Sequence, residues 1–205
     1  LAYDDAINAL GNLTVSDGHI FCYATNNDGL DTNGRLNISG GCLLACGTTS
    51  PEDGIDCDQN TFALTGGTVV GIGGSTSSPT TGVTTQPALI VGNLGLSAGT
   101  VLSLRDADGT TVLSVEVPRT YSNSGATLLL SSPAMTVGNA YTLNSGTTAG
   151  SGGTTFGGLT AGGTSSGGST IGSYTLSSVV TTSGYTGGMG GGGMGGGGGR
   201  PGGGW

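Results

Sequence analysis

Ten oxygen-bearing side chains in the first 58 residues have the types and spacing to hold a metal ion: Asp4, Asp5, Asn8, Asn27, Asp28, Asp31, Glu52, Asp53, Asp56 and Asp58. They include eight of the twelve acidic residues in the chain. Most fall in a recurring unit, Asp5-Ala6-Ile7-Asn8, Asp28-Gly29-Leu30-Asp31 and Asp53-Gly54-Ile55-Asp56, spaced 23 and then 25 residues apart. If successive units stack, their carboxylates lie about 5 Å apart and repel. A hard cation with about six to eight oxygen ligands removes that repulsion, which points to calcium; magnesium, held in a tighter octahedron, fits less well. Plain Asp/Asn/Gly turn chemistry is the competing reading. Turn chemistry alone does not require both acids of the Asp-Gly-x-Asp unit to recur. The expected metal ligands are therefore Asp4, Asp5, Asn8, Asp28, Asp31, Glu52, Asp53, Asp56 and Asp58.

Other chemistry has little to work with. His19 is the only histidine, and the bases are Arg35, Arg105, Arg119 and Arg200, with no lysine. Arg35 follows an acidic turn and reads as an ion-pair or surface residue rather than the proton acceptor of a lyase. Paired carboxylates for glycoside hydrolysis could be drawn from the acidic ladder, but these acids are better explained as ligands. No catalytic residue is assigned. Cys22, Cys42, Cys46 and Cys57 show no CxxC spacing and read as either oxidised, with three pairings open, or simply buried.

The elements that must position the acids follow from the same repeat. After each acidic turn comes a short strand, Asn12-Leu13-Thr14-Val15, Arg35-Leu36-Asn37-Ile38 and Thr61-Phe62-Ala63-Leu64, then a glycine turn, then a second strand starting at His19, Cys42 and Thr68. Alternation turns Leu13/Val15, Leu36/Ile38 and Phe62/Leu64 to one side. A period of about 24 residues of this kind predicts an all-β chain opening with a right-handed parallel β-helix of about three coils, over 1–76. Outward Phe21 and Tyr23, with Leu44 and Val70 in step, form an apolar strip that either stacks on sugar rings or is covered by another part of the chain. From 77 to 183 the period is lost. Val101–Arg105 and Val112–Val117 around Asp106-Ala107-Asp108-Gly109 predict a hairpin within a β-rich capping region. Residues 184–205 form a glycine-rich tail, in which Met189, Met194 and Trp205 are candidate assembly contacts.

Composition narrows the partners. Glycine is 46 of 205 residues, charged residues are 8%, and the net charge is −8. An acidic chain of this kind is a poor ligand for nucleic acid or anionic membrane. No apolar run approaches the ~18 residues of a membrane-spanning helix.

Tyr3-Asp4-Asp5-Ala6-Ile7-Asn8-Ala9, Asn26-Asn27-Asp28-Gly29-Leu30-Asp31, Pro51-Glu52-Asp53-Gly54-Ile55-Asp56-Cys57-Asp58 and Pro118-Arg119-Thr120-Tyr121-Ser122 resemble the secreted bacterial carbohydrate-binding domain-containing proteins. The resemblance runs from about Leu1 to Val180. It implies a pectate-lyase-like parallel β-helix with calcium at its turns and more coils upstream. It further implies binding of a pectin- or cellulose-like polysaccharide outside the cell or at its surface, without catalysis. The alternative expectation is a structural subunit that stacks head to tail into an extracellular fibre through the open first coil and the tail ending in Trp205.

Overall fold

A computed structural model describes residues 1–58 and 60–185. Among them there is no helix, and the elements are fifteen strands. They are β1 (Ile7–Ala9), β2 (Leu13–Val15), β3 (His19–Tyr23), β4 (Leu30–Thr32), β5 (Leu36–Cys46), β6 (Phe62–Gly73), β7 (Ala88–Leu96) and β8 (Val101–Asp106), then β9 (Thr111–Glu116), β10 (Tyr121–Ser131), β11 (Ala140–Ala149), β12 (Gly153–Phe156), β13 (Leu159–Gly162), β14 (Ser165–Thr175) and β15 (Val180–Ser183).

The strands form three separate sheets: β1-β4; β15-β7-β10-β6-β5-β2, with β3 also on β5; and β12-β13-β9-β8-β11-β14. This corrects the expected parallel β-helix. Parallel pairing joins the repeats, with Leu13 beside Leu36 and Leu36 beside Phe62, and His19 beside Cys42 and Cys42 beside Thr68. It does not propagate. β10 returns antiparallel along β6 and pairs antiparallel with β7 on its other side, so the second sheet is mixed. The third sheet is antiparallel throughout. The physical reason lies in β7 and β10: Leu89/Val91 and Leu128/Leu130 face one apolar cluster, while Ala88/Ile90 and Leu129 face another. Strands buried on both faces fit the middle of a sheet, and these two extend the repeat strands rather than stack above them.

The strands β5 and β6 bend at Gly40-Gly41 and Gly66-Gly67. Gly41 and Gly67 have φ of 82° and 89°, and a Cβ on either would meet a carbonyl oxygen of the neighbouring repeat at 2.8 Å. Only glycine fits both the left-handed backbone and the close approach. The bend folds Leu36 and Ile38 over Leu43 and Ala45, making one core with Leu30, Ile55, Phe62 and Leu129. The opposite side of the mixed sheet, Cys42, Leu44, Cys46, Val70 and Ile72, packs under Leu102, Leu104, Val115 and Leu159 of the antiparallel sheet. The hairpin read around Asp106–Gly109 is present as β8 and β9, with Asp106 Oδ1 accepting from the Asp108 and Thr110 N–H groups.

The tail residues Met189, Met194 and Trp205 lie outside the described residues. Cys22, Cys42, Cys46 and Cys57 are free, buried thiols. Burial pushes Cys22 up to about 11 and raises the other three as well. A thiol held protonated and out of solvent is a poor nucleophile. All four are expected to stay unlabelled by an aromatic disulfide reagent in the native protein and to react after denaturation; rapid native labelling would contradict this packing.

Candidate metal centre

The acidic units are positioned by the residues between their acids. Leu30 and Ile55 point inward and are fully buried, so Asp28/Asp31 and Asp53/Asp56 flank an anchored apolar residue. Gly29 and Gly54 press the turns against the ends of β5 and β6: a Cβ on either would lie 2.5 Å from the backbone nitrogen of Cys46 or Ile72. Parallel pairing then sets the layers, with Asn8 beside Asp31 and Leu30 beside Ile55.

Asp28, Asp31 and Asp56 converge. One carboxylate oxygen from each lies within 4.8 Å of the others, and all three side chains are half-buried. This is the one group of three acids among the described residues with the geometry to hold a metal ion. The surroundings fix its members. Asn8 Nδ2 donates to Asp5 Oδ2 at 2.6 Å and to Asp31 Oδ2 at 3.1 Å. The Asp28 N–H donates to Asp5 Oδ1, and the Asp53 N–H to Asp28 Oδ1, so each carboxylate ties down the next unit's backbone. Asp56 Oδ1 accepts from Ser77 Oγ at 2.8 Å and from the Asp58 N–H at 3.1 Å. Beyond Asp53 the ladder ends in a hydroxyl: Ser75 sits beside it in parallel register and hydrogen-bonds its side chain.

The remaining expected ligands fall around this cluster. Asp5 and Asn8 form its hydrogen-bonded first layer, and Asp53 lies in the layer behind Asp28. Asp4 and Asp58 are exposed and accept from Asn27 Nδ2 and Asn33 Nδ2. Glu52 belongs to the cluster's field: burial first, then Asp5, Asp4 and Asp56, raise its carboxyl.

The electrostatics are those of crowded acids. Burial pushes Asp28 up to about 7, with Asp56, Glu52 and Asp5 adding to the rise and the Asp53 N–H opposing it. Asp31 rises to about 6 from burial and from Asp5, Asp56 and Asp58. Asp53 rises to about 8 from burial, Asp56 and Asp28. Such carboxylates are stabilised by taking up a proton or a cation.

The outward strip is mostly covered. Leu44 and Val70 are buried beneath the antiparallel sheet. Tyr23 is half-buried, with the Arg119 guanidinium 4.5 Å above its ring and Arg119 Nε donating to its hydroxyl at 3.1 Å. Arg119 also donates to the carbonyls of Ala24 and Thr25, so this base is bound into the fold. Phe21 stays at the uncovered margin, 41% exposed. Phe156, 43% exposed at the end of β12, reaches the same margin. Nothing in the sequence pointed to Phe156, which stands among glycines and threonines without a strand-like alternation.

Scans against protein-family models, curated proteins and solved structures find no match to this chain. Over the described residues, the fold and site are those of an all-β protein with one three-carboxylate cluster that could hold a metal ion.

Proposed function

We propose that this chain is a non-catalytic, calcium-binding β-protein that holds polysaccharide outside the cell or on its surface. The observation that carries the calcium part is the convergence of Asp28, Asp31 and Asp56 within 4.8 Å. Three carboxylates from neighbouring turns suit calcium, which takes about six to eight oxygens in flexible geometry, better than magnesium, which demands a near-ideal octahedron. All the donors are oxygens, which suits a hard cation rather than zinc or copper. The polysaccharide part rests on the resemblance at the acidic turns and on the exposed aromatic margin.

Isothermal titration of the chelator-treated protein at pH 8 tests the calcium part. The expected result is saturable calcium binding, at least tenfold weaker for magnesium, and at least tenfold weakened in Asp31→Asn and Asp56→Asn. Unchanged binding in both variants would remove the site.

Self-association, the second reading, is favoured by one observation. Among the described residues, β1 and β2 have no strand partner on their outer edges. Head-to-tail stacking also needs the far edge of β6, and β10 fills it.

A further inference from the structure

We infer that two copies of this chain pair along the open edge of β14, strand to strand about a two-fold axis, into a closed dimer; the pairing uses neither the acidic corner nor the edges of β1 and β2. β14 ends the six-stranded sheet and, among the described residues, has no strand beyond it. It is 11 residues long, about twice the usual strand, and most of its side chains are exposed. Edges of this kind are commonly guarded by charge or proline, and β14 carries neither. The left-handed Gly167 and Gly168 and the unmatched Ile171 bend its first half, which leaves 172–175 as the straight run. There the Tyr174 side chain lies across Gly172 and keeps the strand covered on that face. The Leu176 N–H donates to the Asn139 carbonyl, so Leu176 turns its backbone toward the β11 side. Backbone groups alternate in direction along a strand, which turns those of Ser173 and Thr175 to the open edge.

Charge selects a second copy as the occupant. The net charge is −8, so two copies repel wherever their acids meet. No Asp, Glu, Lys or Arg occurs over 120–199, which takes in every strand from β10 to β15. The nearest charges in the sheet are Arg105 and Asp106, in register with Thr142 and Tyr141 and through them with Ser173 and Tyr174. They lie two strands in, about 10 Å from β14, and are of opposite sign. An unrelated peptide has no charged side chain on β14 to recognise, whereas a second copy brings the same neutral edge to the same neutral edge. Antiparallel pairing centred on Ser173 sets Ile171 of one copy opposite Thr175 of the other, and because each copy uses the same patch the contact closes at two. A single strand pair of this length falls below about 1,200 Å² of buried surface, the range of weak contacts, so the dimer forms at high concentration.

Sedimentation equilibrium of the full chain from about 10 µM to about 1 mM tests the pairing. Wild type is expected to pass from monomer to dimer and no further. Ser173→Pro removes an outward N–H while leaving the ladder to β11 in place, and Ser173→Lys sets two like charges against each other across the axis. Each is expected to weaken association about tenfold or more at an unchanged melting temperature. Thr154→Lys, exposed on β12 at the sheet's other edge, adds the same charge and is expected to dimerise as wild type. If Ser173→Pro melts early, Ser173→Lys, on an exposed side chain, carries the test alone. Undiminished dimerisation of the folded variants, or growth past the dimer, overturns the placement. A wild type that stays monomeric throughout also overturns it, and slow hydrogen exchange at Ser173 and Thr175 in that monomer would show the edge taken by another part of the chain.

Discussion

Freed of divalent cations, the protein is expected to melt at a higher temperature at pH 5 than at pH 8, the reverse of the common pattern for acidic side chains held in ion pairs. Asp28, Asp31 and Asp53 have carboxyls raised to about 7, 6 and 8 in the folded state, chiefly by burial and then by neighbouring acids, Asp56 acting on all three. In the unfolded chain they titrate near ~3.9. Between those values the native state holds more protons than the unfolded state, so stability falls as pH rises through the window. Their favourable contribution is full below about pH 4 and lost above about pH 8. Calcium takes the place of the protons. At a concentration of about a hundred times its dissociation constant it adds about 2.7 kcal/mol, a rise of roughly 5–10 °C at pH 8 for a chain of this size. Calorimetry at both pH values, with chelator and with calcium, reads both effects. A chelated protein that gains stability from pH 5 to pH 8 would mean that the acids are solvated and independent. Asp31→Asn should flatten the pH dependence in the chelated protein.

Gly54→Ala is expected to destabilise the protein and to unseat the acidic turn together. The added Cβ would lie 2.5 Å from the Ile72 nitrogen and 2.8 Å from its carbonyl carbon, and both are backbone atoms that no side-chain rotation can move. The acidic turn must lift off β6, carrying Asp53 and Asp56 with it. The expected loss is about 3 kcal/mol, the upper part of the range for overpacking, or roughly 6–12 °C. Calcium affinity should fall in the same variant, because Asp56 supplies one of the three converging oxygens. Gly82→Ala is the control: its Cβ would meet nothing within 4 Å, and restricting the unfolded chain leaves stability unchanged or slightly higher. Equal melting temperatures for the two variants would show that the turn is not seated on β6 as described.

What was legible in the sequence is what repeats. A unit recurring after 23 and 25 residues carries its own register, so Leu13, Leu36 and Phe62 could be placed side by side, and the acids with them. The three-acid cluster was within reach for the same reason, although the sequence spread the ligand set over nine residues where the structure converges three. The architecture was not legible beyond the repeat. Leu128, Leu129 and Leu130 are all buried, so the strand that turns the sheet from parallel to antiparallel shows no alternation to mark its direction. The fate of Tyr23 was hidden by distance, since Arg119 is 96 residues away in the chain. The apolar strip was visible as a pattern, but a pattern does not say whether water or a second sheet lies against it.

The replacement of a carboxylate by a hydroxyl at the end of the acidic ladder sets a count. Ser75 stands in register after Asp53, and Ser77 donates to Asp56, so the last layer gives hydrogen bonds to the acids instead of adding charge to them. A hydroxyl satisfies a carboxylate lone pair without raising the local demand for a cation. The corner therefore stops accumulating negative charge at the layer where β10 closes the sheet. Any ion count at this corner is bounded by the two serines as much as by the acids.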